Sequence, residues 1–274
     1  MKTENDLSLS SAPDITLGLC LSGGGALGFA HIGVLQALED HGIVPDQLAG
    51  SSMGAIVGTL YAAGYTPADL LQMIKDDKLY KITKLMTFHP TFLKSGLSNH
   101  SILRTLLKEL IPHNSFDQLK KKMHIAVVNL TKAQWETVST GNNLDDWLAA
   151  SASIPGVFES VKINDNYYID GGLLNNLPAQ ALEAGCNVII GVDVIPHFAP
   201  DTLHKPIDTL AASVRVMQHQ NSKDGRALCK FIIEPESILK FHEFSFEAYH
   251  EIYHYGYSAT TKFIVAYPEM MKLK

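Results

Sequence analysis

Ile15-Thr-Leu-Gly-Leu-Cys-Leu21 runs into Ser22-Gly23-Gly24-Gly25-Ala26-Leu27-Gly28, and that loop opens into Phe29-Ala-His-Ile-Gly-Val-Leu-Gln-Ala-Leu38. The first seven residues have the length and apolar character of a buried parallel strand. Leu27, Val34, Leu35 and Leu38 then recur at helical spacing, and Gly42 after His41 supplies the left-handed residue that ends a helix. Strand, glycine loop and helix in that order aim several backbone N–H groups at one point, which suits negative charge. A second strand-to-helix turn follows at Leu48-Ala-Gly50-Ser51-Ser52-Met53-Gly54. Gly50-x-Ser52-x-Gly54 is a nucleophile-elbow pattern, in which a tight turn lifts one serine above the end of a sheet. One loop can hold an oxyanion and the other can present a nucleophile. Together they describe acyl transfer.

The rest of the chain sets bounds on that reading. With 274 residues, 46% hydrophobic and 18% charged, it can bury one large α/β core or two small ones. A formal net charge of −6 gives no reason to expect nucleic acid as a partner. Three widely spaced cysteines argue against a disulfide framework or a zinc ribbon and fit a reducing compartment. Residues 1–14 are polar without an apolar h-region, so they read as a mobile arm and not as a signal peptide. No run of 18 apolar residues suggests a membrane span, and a cytoplasmic location is expected, with peripheral membrane contact as an option. Nothing in the sequence fixes an oligomeric state.

Strand-like and helix-like stretches alternate over residues 15–195. That alternation predicts an α/β domain, a mostly parallel sheet with helices on both faces. Thr66-Pro67-Ala68-Asp69 reads as an N-cap, a proline at N1 and an acidic N3, starting a helix to about Lys78. Ser98 or Asn99 is expected to cap a helix with Ile102, Leu103, Leu106, Leu107 and Leu110 on one face. His124–Leu130 is a buried strand with Trp135–Ser139 as its hairpin neighbour, and Asp145–Ser153 is helical. Val161–Ile163 and Tyr167–Ile169 frame a turn, Leu177–Ala184 is a helix ended by Gly185, and Asn187–Val194 is a parallel strand. Beyond a proline-rich loop, Ile207, Leu210, Ala211, Val214 and Met217 predict an amphipathic helix. Phe231–Ile233 is a short strand and Ser245–Ala266 a long helix. These form a C-terminal cover, about 207–266, on a single domain spanning 15–274, whose catalytic core is about 15–195.

Gly23-x-Gly25-x-x-Gly28, Gly50-x-Ser52-x-Gly54 and Asp170-Gly171-Gly172 resemble the patatin-like phospholipase family, bacterial branch. The flanking runs Ala30–Leu35 and Ser151–Phe158 are similar to that family too. The resemblance covers about residues 15–195. It implies a patatin-like Ser-Asp acyl hydrolase, a lipase, phospholipase A or lysophospholipase cleaving fatty acyl esters. Ser52 would be the nucleophile and Asp170 the base, with Gly23, Gly24, Gly25 and Met53 supplying oxyanion donors. Gly28, Gly50, Gly54, Gly171 and Gly172 complete the motif glycines. No cofactor or metal is implied, and the expected partner is a lipid or ester substrate. Asp170 follows Tyr167-Tyr168-Ile169 and so belongs at a strand end. Partial burial would have to raise its affinity for a proton before it could act as a base. Many family members carry Arg or Lys where this chain has Leu27, so appreciable hydrolysis of neutral short-chain esters and only a modest preference for phospholipids are expected.

Other readings compete with this one. An acyltransferase or thioesterase would use the same dyad with a different acceptor, and a non-catalytic lipid-binding module would keep the motifs as scaffold. The glycine loop also fits a dinucleotide fingerprint, but Asp46 precedes the second strand and is not at its end. His250-Glu251-Ile252-Tyr253-His254 matches the H-E-x-x-H pattern of a zinc metalloprotease without an evident third ligand. His31 is expected to be a packed histidine, and Cys20 a small core residue. From residue 78 to 108 the chain holds six basic residues and no acidic one, interleaved with Tyr80, Leu85, Met86, Phe88, Phe92 and Leu93. Such a stretch could dock on an anionic lipid surface, or its apolar residues could plug the core.

Overall fold

The computed structural model describes residues 15–76, 100–195 and 206–273. The arm at 1–14, the proline-rich loop at 196–205 and most of the basic stretch, 77–99, lie outside them. Among the described residues, eight strands form one sheet in the order β5-β6-β3-β2-β1-β7-β8, with β4 also paired to β3. The strands are β1 Leu17–Leu21, β2 Gln47–Ser51, β3 Lys122–Asn129, β4 Gln134–Val138, β5 Val161–Ile163, β6 Asn166–Asp170, β7 Val188–Val192 and β8 Phe231–Ile233. The pairs β2–β3, β1–β2, β1–β7 and β7–β8 are parallel. Those joining β4, β5 and β6 are antiparallel. The sheet is therefore mixed and mostly parallel, as the alternation predicts.

Alternating residues of the central strands feed two layers. Leu17, Leu19 and Leu21 of β1, with Ile190 and Val192 of β7, point into the large core. That core also takes residues of α1 (Phe29–Asp40), α2 (Met53–Ala63) and α7 (Tyr249–Ala266). Cys20, Ala49 and Ile189 point the other way, onto Leu177, Ala179, Leu182 and the end of α6 (Pro206–Leu228). Strands buried on both faces must read as continuous apolar runs, and β1 and β7 do. The expected C-terminal cover is more than a cover, because β8 is an edge strand of the sheet itself.

Local signals set most helix ends. Gly42 and Gly64 follow α1 and α2 with positive φ. Thr66 and Asp69 form a reciprocal capping box on α3 (Pro67–Lys75), an arrangement worth about 1 kcal/mol. Helix α4 (Ser101–Leu110) starts after His100, not after Ser98 or Asn99, which lie outside the described residues. The His100 ring is anchored by Ser153 and Glu159, and this fixes where the helix begins. α5 spans Leu144–Ser151.

Two elements differ from expectation. The predicted helix at Leu177–Ala184 is only a 3-10 turn, Ala179–Leu182. Pro178 has no N–H to give, and the Leu177 carbonyl folds back onto Ala179 N–H at 2.8 Å. The amphipathic helix is present as α6, but Leu210 (41% exposed) and Met217 (44%) face solvent. The inner face instead carries Ala212, Gln218, Ser222 and Gly225, because it lies on polar loops.

α7 packs tightly on α1. A Cβ on Gly33 would come within 2.0 Å of the Tyr253 carbonyl, and one on Gly256 within 2.1 Å of the Ala30 carbonyl. Among the described residues, no helix is long and apolar enough to cross a membrane.

Candidate active site

Strand β3 serves as the ruler that brings the two key side chains together. β4 pairs with Ile125–Asn129 along one edge of β3. β2 pairs with Lys122–Ala126 and β6 with Val127–Asn129, so both must occupy the opposite edge. β2 runs parallel and ends with Ser51 opposite Ala126, while β6 runs antiparallel and ends with Asp170 opposite Val127. Two strand ends thus meet head to head at adjacent positions. The residue after one is Ser52, and the last residue of the other is Asp170.

Ser52 sits at φ 52°, ψ −124°, a strained conformation for a residue with a side chain. Neighbouring glycines permit the turn. A Cβ on Gly54 would come within 2.3 Å of the Leu21 carbonyl, and one on Gly50 within 2.6 Å of the Gly54 backbone. Ser52 N–H donates to Ser151 Oγ at 2.9 Å, and Ser151 donates in turn to the Ala126 carbonyl at 2.8 Å. Helix α5 therefore pins the elbow to β3.

Asp170 is 2% exposed. Its Oδ1 accepts Gly172 N–H at 2.8 Å, while buried Oδ2 has no hydrogen-bond partner among the described residues. Burial pushes its pKa up to about 6, against the opposing pull of Ser52 and Gly172 N–H. Ser52 is thus near enough to influence the carboxyl without a closed hydrogen bond between them.

The glycine loop lies on the other side of Ser52. Gly24 caps and Gly25 begins a 3-10 turn, Gly25–Gly28, and Met53 is the first residue of α2. N–H groups at such positions have no intrahelical acceptor. Gly25 has φ +54°, and a Cβ there would lie 2.5 Å from the Glu243 carbonyl, so only glycine fits. Gly23 N–H is already engaged, donating to the Asn176 carbonyl at 3.3 Å. It therefore leaves the set of free donors expected from the sequence. Leu27 is 1% exposed in the core, so the position cannot present a cation to a head group without burying it.

Three polar side chains at the site carried little signal in the sequence. Ser151 opens a family-like run, yet its role is visible only from its contact with Ser52. Asn176 is buried with neither amide atom partnered. Its Oδ1 would lie 2.6 Å from a Cβ on either Gly23 or Gly172, so it sits between the two loops. Asn221 of α6 contacts both Asn176 and Gly172.

Several candidates fall elsewhere. His31 is buried, bonded through Nε2 to the Ser22 carbonyl at 2.8 Å, and desolvation pushes its pKa down to about 4. His250 and His254 lie on the exposed side of α7, their rings 5.3 Å apart. Among the described residues, no group of three His, Cys, Asp or Glu could hold a metal ion. Asp46 accepts Leu17 N–H at 2.7 Å, at the opposite end of β1 from the glycine loop, where no ribose could reach it. Arg104 and Lys108, the described members of the basic stretch, pair with Asp146 at 3.0 Å and Asp145 at 3.3 Å.

A nucleophile elbow, a buried carboxyl and a glycine loop at the carboxyl ends of a mostly parallel sheet define an α/β acyl-transfer architecture. Residues 19–183 match the patatin-like phospholipase family, and the chain belongs to it. It is 32% identical over 181 residues to the lysophospholipase NTE1 of Candida glabrata, covering 65% of this chain and 10% of that protein. To the Saccharomyces cerevisiae lysophospholipase NTE1 it is 27% identical over 273 residues, covering 88% of this chain and 16% of that one. The chain thus spans a small fraction of the length of these curated relatives. The expected bacterial branch is not borne out, since these relatives are from yeasts. Among solved structures, VipD from Legionella pneumophila aligns with a TM-score of 0.47 and 14% identity, covering 89% of this chain and 67% of that one.

Proposed function

We propose that this chain is a serine acyl hydrolase that cleaves fatty acyl esters through a Ser52–Asp170 dyad. The supporting observation is the meeting of two strand ends on one edge of β3, which sets a strained serine against a buried carboxyl with a free oxygen. Ser52 Oγ attacks the ester carbonyl while Asp170 takes its proton. The tetrahedral oxyanion lies against the N–H groups of Gly24, Gly25 and Met53. The alcohol leaves with the proton from Asp170, and the acyl group stays on Ser52. Water, giving its proton to Asp170, then attacks the acyl-serine, and the proton returns from Asp170 to Ser52 Oγ as the fatty acid leaves. A carboxyl with a pKa pushed up to about 6 is a far better base near neutral pH than an exposed aspartate.

The substrate class we favour is a lysophospholipid or a related single-chain ester, on the strength of the yeast relatives' names. Buried Leu27 puts no cation at the glycine loop, which favours appreciable turnover of neutral esters as well. We read residues 15–274 as one catalytic unit and place it in the cytoplasm, in line with three free cysteines. The basic, aromatic sequence at 78–99 would meet the lipid surface.

The test is hydrolysis of a soluble chromogenic ester and of a lysophospholipid by wild type, Ser52→Ala and Asp170→Asn, with and without a chelator. Loss of both activities in both variants, unaffected by the chelator, is expected. Activity that survives Ser52→Ala and dies with the chelator overturns the reading in favour of a metal enzyme. Acyl transfer to an added alcohol at the expense of hydrolysis would move it to an acyltransferase.

A further inference from the structure

Helix α6 lies outside the stretch that matches the family, yet one of its side chains joins the two loops of the site. Asn221 Oδ1 accepts Asn176 N–H at 2.8 Å, and Asn221 Nδ2 donates to the Gly172 carbonyl at 2.9 Å. The Asn176 carbonyl accepts Gly23 N–H at 3.3 Å, and Gly172 N–H donates to Asp170 Oδ1 at 2.8 Å. A continuous path therefore runs from the glycine loop through Asn176 and Asn221 to the carboxyl of Asp170. We infer that Asn221 is a positioning residue that fixes the separation between the turn carrying Asp170 and the loop carrying the oxyanion donors.

The task needs one donor and one acceptor on a short planar group, and an asparagine amide supplies both. Aspartate would keep the acceptor for Asn176 and lose the donor for Gly172. Alanine would lose both and leave two backbone groups without partners. The helix is itself held in place around this residue. Gln218 is buried against Gly172, where a Cβ would lie 3.0 Å from its Nε2. Gly225 presses on the Leu177 carbonyl so closely that a Cβ would come within 1.8 Å. Arg226 pairs with Asp193 and with Glu234, each at 2.8 Å. Arg215 pairs with Glu243, whose carbonyl accepts Ala26 N–H from the glycine loop at 2.8 Å. The helix thus grips the site at both loops, and the Asn221 side chain bonds the Asp170 turn directly.

A positioning role differs from simple gluing in what it moves. Among the described residues, Gly172 N–H and Ser52 are the groups that hold the Asp170 carboxyl down against burial, and no charged side chain is among these influences. Loosening the turn should therefore lower kcat and also shift the acid limb of the pH–rate profile upward.

The experiment compares wild type with Asn221→Ala, Asn221→Asp and Lys223→Ala, an exposed control on the same helix. Each is assayed on a soluble ester from about pH 5 to about pH 8, with melting temperature in parallel. Both Asn221 variants should lose kcat by about tenfold or more, since small misplacements of catalytic groups are costly. KM should stay within about twofold, because substrate contacts are untouched. Their acid limbs should move to higher pH, and Lys223→Ala should match wild type. The inference rests on the dyad reading. A wild type with no Ser52-dependent hydrolysis brings down that reading and this inference together. A wild type active through Ser52, with folded Asn221 variants that keep both kcat and the acid limb, overturns the inference alone. So does a loss confined to melting temperature. Should Asn221→Ala fail to fold, the nearly isosteric Asn221→Asp carries the same test.

Discussion

Two buried serines lie within a short reach of Asp170's strand, and only one is equipped for chemistry. Ser153 has the partner usually associated with catalysis, a histidine, with its Oγ 2.9 Å from His100 Nε2. Its valences are nevertheless spent. Ser153 Oγ donates to the Ala149 carbonyl at 2.7 Å, so it must accept from His100. The same Nε2 also reaches the Glu159 carbonyl at 3.1 Å, which requires that it carry the proton. His100 is a donor here, stacked on Phe158 and depressed in pKa by burial, and cannot serve as a base toward Ser153. Ser52 is hydrogen-bonded to no histidine among the described residues. It has a strained backbone, a carboxyl with an unpartnered oxygen, and a row of N–H groups at helix starts. The nucleophile is marked by what is left unsatisfied around it, and the structural serine by saturation.

The largest effect that could break this contrast is at the serines themselves. Ser52→Ala should lower kcat/KM on a soluble ester by about 10⁴-fold or more. Ser153→Ala should stay within a few-fold of wild type and lose about 1–2 kcal/mol of stability, measured by denaturant melts. Comparable losses from both variants would erase the distinction.

Asp170→Asn comes next, with a loss of about 10³-fold. It also carries a stability signature. Burial raises the carboxyl from its ordinary 3.8 to about 6, so the folded state binds this proton more tightly than the unfolded chain. Between those values stability falls as pH rises, and above about 6 the whole destabilisation is present. Asp170→Asn cannot ionise, so it should melt above wild type at neutral pH and converge with it near the lower value. A variant that melts below wild type at neutral pH would show that the carboxylate is paired, not stranded.

Gly25→Ala should cost about 10² in kcat, because its Cβ would push the loop off Glu243 and misdirect the oxyanion donors. The smallest effect is at Ser151. Ser151→Ala removes the acceptor of Ser52 N–H and should lower kcat by about tenfold while circular dichroism stays native. Unchanged kinetics would mean that the elbow holds its strained geometry unaided.

Much of the site could be read before any coordinates. The strand, glycine loop and helix of residues 17–40, and the elbow at Gly50–Gly54, are set by neighbours in sequence, where apolar spacing and glycine placement speak directly. Asp170 at a strand end was legible for the same reason. That it faces Ser52 was legible only through the family motif, because the contact depends on two strands sharing one edge of β3. The orientation of α6 could not be read from its apolar spacing. Its inner neighbours are backbone groups of the site, so polar residues turn inward and Leu210 and Met217 are left outside. Asn221 gave no signal at all, lying 45 and 49 residues from its two partners. The histidine pair of α7 misleads for the opposite reason, since its local pattern is complete while no third ligand stands near it among the described residues.

The most direct test of the central claim is to map the adduct of a fluorophosphonate probe by peptide mass spectrometry on the wild-type chain. A single adduct on Ser52, lost in Ser52→Ala and absent from Ser153, is the predicted result. An adduct on Ser153, or labelling that persists in Ser52→Ala, would contradict the account.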